Sequence, residues 1–291
     1  MKTPIVSICI PSYNNPRGLR RALKSISVQS MGDYEVIVTD DSSDNMVEEI
    51  VAEFSSVFSI IYFRNNPRKG TPENWNEAIR HAHGSYIKVL HHDDWFSFPE
   101  SLEEFVSMMD RHPDADFGFS ASRAFGDNLN LKFIHYPNLH LLSRIRKNPK
   151  ALFPNNTIGA PSATIFRSGV TQRFDSQIKW VVDLDFYIRV LERNPEFVYT
   201  KKPLISINSG DSDSQVTASC IRDNDVQIFE WLYLYQKLNP GLFPVYKHAA
   251  FIWHLLLSNG VKSKEHLIRA GLKKPLRWEI ILYILMIRML K

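Results

Sequence analysis

Tyr86-Ile87-Lys88-Val89-Leu90-His91-His92-Asp93-Asp94 is a short apolar run that ends without transition in two histidines and two adjacent carboxylates. The first five residues read as a strand, and the pattern repeats on either side. Upstream, residues 5–10 form a β-branched run closed by Pro11, and Leu19, Ala22, Leu23 and Ile26 then recur at helical spacing. Residues 35–39 read as a second strand, 47–54 as a helix, 59–63 as a third strand and 73–82 as a helix. Downstream, 101–111 reads as a helix and 116–120 as a strand. Strands alternating with helices predict an α/β fold with parallel strands and crossover helices. In such sheets ligands bind beyond the carboxyl ends of the strands, so the polar clusters after the first, second and fourth strands are expected to converge on one edge.

The rest of the chain is less regular. Residues 128–157, rich in Asn, Pro and basic side chains, read as a long surface excursion. A strand is expected at 163–166, a helix at 183–193 and two short strand-like pieces within 197–207. From Asn224 the pattern is helical and aromatic, which places a boundary near Cys220 and divides the chain into residues 1–220 and 221–291. Composition is that of a globular enzyme, 44% hydrophobic and 23% charged. A net charge of only +4 argues against a nucleic-acid binder. Cys9 and Cys220 lack metal or redox spacing, and the N-terminus has no apolar signal core, so a cytoplasmic location is expected.

Three clusters have chemical potential. Asp40-Asp41-Ser42-Ser43-Asp44 can be turn chemistry alone, because short polar side chains cap backbone groups locally. It also allows Asp40, at a strand end, to accept a hydrogen from a nucleobase. Adjacent Asp93 and Asp94 repel unless a cation or donor compensates. The pair can be a solvated loop or a cap of the helix at 99–111, although Ser97 is the better cap; otherwise it suits a hard divalent cation bridging substrate phosphates, which His91 or His92 can join unless they are simply exposed. Asp183 opens a helix, where the macrodipole alone favours acids. Its large apolar neighbours, however, raise a carboxyl's proton affinity toward that of a general base. Arg189 pairs with Asp185 at i,i+4.

Taken in order, these stretches resemble the family 2 glycosyltransferases from about Ile5 to about Thr217. Val6 to Asn14, with Pro11, Tyr13 and Asn14, is similar to the family's opening strand and its nucleoside-side turn. Asp40 matches the base-reading aspartate, and Gly70, Asn76, Ala82, Gly84 and Tyr86 fall at the family's spacing. His91-His92-Asp93-Asp94 aligns with an Asp-x-Asp-Asp motif, with His91 in place of the first acid. Asp183 matches the catalytic base of inverting members, with Val182 where a Glu is usual. Residues 159–163 resemble the loop lining the acceptor side. Ser209 to Thr217, including Gln215, resembles the segment closing over the diphosphate, with Asn208 the nearest polar stand-in for a ligating histidine.

The resemblance implies a GT-A fold, a mixed and mostly parallel central sheet flanked by helices, with a helical C-terminal appendage. It implies a nucleoside-diphosphate sugar as donor and Mn²⁺ or Mg²⁺ at Asp93, Asp94 and His91. Pro11, Tyr13, Asn14, Asp40, Asn76, Asp93, Asp94 and Gln215 would hold the donor. The acceptor would be a glycan or polyprenyl-linked oligosaccharide of a bacterial surface polysaccharide such as O-antigen or capsule. Two departures from the motif leave a second reading, a non-catalytic nucleotide-sugar or glycan-binding protein, which would bind donor without turnover.

Finally, Trp278, Ile281, Leu282, Leu285 and Met289 recur at helical spacing within a basic 272–291 segment. Such a helix suits either the core or a membrane interface, and the resemblance favours peripheral contact with the cytoplasmic face of the inner membrane.

Overall fold

The computed structural model describes residues 3–126, 128–210, 220, 222–239, 245–272 and 275–289. One half of its sheet is parallel. Strands β1 (Val6–Ser12), β2 (Tyr34–Asp40), β3 (Ile60–Arg64) and β4 (Tyr86–Val89) lie in the order β3-β2-β1-β4. They are joined by α1 (Pro16–Ile26), α2 (Met46–Phe54) and α3 (Glu73–Arg80). All seven residues of β1 are buried, as a strand covered on both faces requires. The α1 helix begins where Asn15 accepts a hydrogen bond from the Gly18 N–H and Pro16 occupies the first turn, and its Leu19, Ala22, Leu23 and Ile26 face the sheet.

Beyond β4 the sheet becomes mixed. The first two strands after it in sequence are β5 (Trp95–Phe96) and β6 (Phe117–Phe125), separated by α4 (Ser101–Asp110). They are followed by β7 (Leu131–His135), β8 (Thr164–Arg167) and β9 (Phe197–Asn208), with α6 (Val182–Arg193) before β9. The order continues β4-β8-β6-β9-β5, with β7 paired to β6; β8 is antiparallel to β4, and β9 is parallel to β6.

Alternation along the strands sorts two apolar layers. Val36 and Val38 enter a layer with Leu19, Leu23, Leu102 and Phe105. Ile37 enters the other layer, with Cys9, Val89, Phe117, Phe166 and Phe186. The C-terminal helices α7 (Asn224–Leu238), α8 (Val245–Ser258), α9 (Lys264–Arg269) and α10 (Trp278–Met289) contribute Trp231, Tyr235, Leu256, Leu267 and Ile284 to that same second layer. Phe153 stands at the junction, with the rings of Trp231, Tyr235, His248 and Phe251 within 6.0 Å of its own.

Two expectations are corrected. Residues 128–157 are a surface excursion only in part: β7 is exposed along Leu131–Phe133, but it leads to α5 (Leu139–Lys147), whose Leu142 and Ile145 are buried, and on to buried Leu152 and Phe153. Basic residues at 144, 146 and 147 mask the apolar spacing on the other face. Residues 197–208 form one strand rather than two pieces. Pairing with β6 continues across a register shift between Ser120 and Ser122, which absorbs the Lys201-Lys202-Pro203 interruption as a bulge.

Candidate active site

The carboxyl ends of β1, β2 and β4 share one edge, since Ser12 pairs with Asp40 and Cys9 with Val89. The loops after the first two strands are tied together. Asn14, in the left-handed region at φ 44°, donates its N–H to Ser42 Oγ at 2.8 Å and accepts from the Ser43 N–H at 3.3 Å. Asparagine tolerates this backbone better than most residues. Tyr13 is 42% exposed, and the Arg68 guanidinium lies 4.3 Å from its ring centroid, so a flat cationic platform faces outward here.

Asp40 is at its strand end but wholly enclosed. Its carboxylate accepts the Ser42 N–H at 2.8 Å and the Tyr62 hydroxyl at 2.9 Å. Asp41 accepts Asn65 Nδ2 and the Lys69 and Gly70 N–H groups, fixing the turn where Gly70 has φ 74°. Asn76 is buried too, with Oδ1 accepting the Phe174 N–H at 2.9 Å and Nδ2 donating to the Phe174 carbonyl at 2.8 Å. These three side chains build the frame of the edge.

The acid pair follows β4. Pro11 contributes its carbonyl, which accepts from His92 Nδ1 at 3.1 Å, and Arg21 donates to the Asp93 carbonyl while stacking 3.9 Å from the Trp95 ring centroid. Asp94 is buried and accepts the Asn208 N–H at 3.0 Å. Burial, and then the Asp93 charge, push its carboxyl up to about 8. Lys88, also fully buried, donates to the Ser162 and Val89 carbonyls, and burial lowers its ammonium to about 7. The Ser162 hydroxyl accepts the His91 N–H at 2.9 Å.

The His91 ring lies 4.4 Å from Trp75, burial lowers its pKa to about 4, and its Nε2 has no hydrogen-bond partner among the described residues. Among the described residues no three His, Cys, Asp or Glu side chains converge as a metal cage, so His91 is not preassembled with Asp93 and Asp94. Two carboxylates at a strand end, one of them holding its proton near neutrality because it is buried and then because it lies beside the other's charge, would suit a hard divalent cation of the kind that also binds phosphate oxygens.

Asp183 occupies the first turn of α6. Its Oδ1 accepts the Leu184 N–H at 2.8 Å and its Oδ2 accepts Asn156 Nδ2 at 2.8 Å. Burial raises its pKa to about 7 against the pull of these donors. Asn156 is itself fixed, because its Oδ1 accepts the Ile158 and Gly159 N–H groups. The Gly159 carbonyl accepts the Tyr187 hydroxyl at 3.1 Å, and Gly159 has φ 99°, which favours glycine. Asp185 pairs with Arg189 as expected.

Sequence reasoning missed Asn156, Lys88 and Tyr187, and placed Ser162 only within the 159–163 stretch, not against His91. Asn155-Asn156 before a Gly was the available sign of the first, while the others depend on tertiary contact. Gln215 lies outside the described residues.

Comparison with known proteins identifies the family and the fold. The family description "Glycosyl transferase family 2" matches residues 7–174, more than half of the chain, and the chain belongs to that family. An uncharacterised protein of Mycobacterium tuberculosis is 30% identical over 207 residues, 66% of this chain and 63% of its own length. A putative teichuronic acid biosynthesis glycosyltransferase of Bacillus subtilis is 29% identical over 138 residues, 46% of this chain. The chain therefore spans 63% and 54% of these two relatives. Among solved structures, residues 1–349 of Staphylococcus aureus TarS bound to UDP-GlcNAc superpose with TM-score 0.67 at 18% identity, covering 91% of this chain and 79% of that one. A mannosyltransferase of Pyrobaculum calidifontis bound to GDP-Man and Mn²⁺ superposes with TM-score 0.60 at 15% identity, covering 93% and 74%. The fold is GT-A.

Proposed function

We propose that this chain transfers a sugar from a nucleoside-diphosphate donor to a hydroxyl group, with inversion at the anomeric carbon. The acceptor is a glycan or lipid-linked oligosaccharide of a bacterial surface polysaccharide. The observation that carries this reading is Asp183, a carboxyl held by Asn156 and Leu184 with a proton affinity near neutrality, in a GT-A framework. An acid tuned this way suits a general base at ordinary pH.

In the proposed step Asp183 takes the proton of the acceptor hydroxyl as its oxygen bonds to the anomeric carbon. The bond from that carbon to the diphosphate oxygen breaks, and the nucleoside diphosphate leaves with the electron pair. Tyr13 and Arg68 offer the nucleobase a stacking platform, while Pro11, Asn14 and Asp40 hold its frame. Asp93, with Asp94 beside it, would hold Mn²⁺ or Mg²⁺, which when bound supplies neutralising charge for the leaving diphosphate.

The acceptor's carrier has a counterpart in α10. This helix buries Ile280, Tyr283 and Ile284 yet exposes Trp278, Ile281, Leu282 and Leu285 by 43–54%. No described helix is long and apolar enough to cross a membrane. A helix with apolar residues on both sides suits a core on one side and a lipid interface on the other, and we assign it peripheral membrane contact.

Release of nucleoside diphosphate from a donor panel, with acceptor glycans, tests the transferase reading. Asp183→Asn should lower kcat about 10²–10⁴-fold, the typical share of a general base, with donor KM nearly unchanged. Full turnover by that variant would overturn it.

A further inference from the structure

We infer that Glu230, on the C-terminal helix α7, is a positioning residue for Asp183, and that one face of α7 clamps the whole segment carrying it. The inference rests on Asp183 being the base, as proposed above. Glu230 is 3% exposed, and its two oxygens accept the N–H groups of Lys179, Trp180 and Val181 at 2.9, 2.7 and 3.1 Å. Val181 is the N-cap residue just before α6, and its own side chain forms no cap. The chain leading into α6 therefore has its last three amides held by an anion from another helix, 49 residues away in sequence at Val181. A carboxylate against amides at a helix N-terminus makes charge-assisted bonds that are stronger than neutral ones, and the helix macrodipole adds to them.

The next side chains on the same face of α7 extend the grip, at the i+3 and i+7 positions that a helix aligns. The Tyr233 hydroxyl and Lys237 Nζ both reach Asp175 Oδ2. Lys237 Nζ also lies 2.7 Å from Asp185 Oδ1, the acid already paired with Arg189. Residues 175–185, with Asp183 inside them, are thus pinned at both ends by α7. Trp180 packs edge-on against Trp231, with centroids 5.8 Å apart, so the contact also excludes water.

This arrangement has an electrostatic consequence. Among the described residues, the titratable groups facing Asp183 are Tyr187 from its own helix and Glu230 from α7. Glu230's negative charge disfavours a second one on Asp183, raising its proton affinity on top of burial. One carboxylate thereby fixes where the base sits and helps set the pH at which it works.

The test uses Glu230→Gln in the full chain, an isosteric change that keeps one acceptor oxygen. The expected result is a kcat about tenfold lower or less than that, with donor KM unchanged, since the lost interaction orients the base. The acid limb of the kcat/KM profile should shift to lower pH. Carboxyl ¹³C NMR, with Asp183 assigned by the signal missing in Asp183→Asn, should show the same downward shift without any turnover. Lys237→Met should lower kcat while leaving that titration nearer to wild type. A Glu230→Gln protein that melts like wild type, with kcat and the Asp183 titration unmoved, overturns the inference. A fall in kcat with the titration unmoved overturns it as well, because that marks a merely structural carboxylate. If the wild type turns over no donor, the transferase reading fails, and the NMR titration still decides Glu230's hold on Asp183.

Discussion

Replacing Asn156 by Ala removes the one side-chain donor to Asp183 among the described residues, a bond of 2.8 Å from Nδ2 to Oδ2. The Leu184 N–H remains. Hydrogen bonding to the ionised form lowers a carboxyl's pKa, so its loss raises it. A bond to a charged acceptor is worth about 1.5–3 kcal/mol, and one pKa unit is about 1.4 kcal/mol, so the change amounts to about 1–2 units. Starting from about 7, Asp183 would move to roughly 8–9. A base acts only when deprotonated, so activity climbs with pH through this value and the whole acid limb shifts upward.

At pH 7 the ionised fraction falls from about one half to between roughly a tenth and a hundredth, a loss of about five- to fiftyfold in kcat/KM. Near pH 10 most of that loss should disappear. The assay is the pH profile of nucleoside diphosphate release at subsaturating acceptor. A deficit of equal size at every pH would refute the electrostatic role, leaving Asn156 as a simple spacer. A limb that moved downward would refute the assignment of Asp183 as the titrating base.

Two further outcomes follow from packing and surface. Phe153→Ala should cost about 3–5 kcal/mol in denaturant or thermal unfolding, the usual range for an aromatic truncated in a closed core, because Phe153 is 2% exposed among four rings. A cost below about 1 kcal/mol would show that the C-terminal helices are not packed onto the sheet as described. On α10, the double substitution Leu282→Glu and Leu285→Glu should leave the melting temperature near wild type, since both side chains are exposed by more than 40%. The same protein should lose most of its co-sedimentation with anionic liposomes; unchanged co-sedimentation would sink the membrane assignment.

Much of the parallel half of the sheet can be read directly from the chain, because buried strands such as β1 are short β-branched runs and their polar terminators mark the edge. The helix carrying Asp183 and the Asp185–Arg189 pair were legible for the same local reason. Residues whose value comes from tertiary neighbours were not. Asp40 and Asp41 look alike in sequence, but only the structure shows one held by Tyr62 and the other by the Lys69–Gly70 amides. Asn76 matched a motif position, yet its side chain is spent on Phe174, 98 residues away. In sequence, Glu230 is one more charge on an aromatic helix. Its meaning appears only when α7 is laid across the start of α6.

The measurement closest to the central claim is thermal stability of the full chain with a panel of nucleoside diphosphates and nucleotide sugars, each with Mn²⁺, Mg²⁺ or chelator. A ligand that binds only the folded state raises the melting temperature by mass action, by about 2.7 kcal/mol of stability at a hundredfold excess over Kd. A nucleotide-sugar glycosyltransferase should respond to one nucleobase, only with the divalent cation, and should lose that response in Asp93→Ala. Stabilisation by no nucleotide under any condition would contradict the account, and so would a metal-dependent response left intact in Asp93→Ala.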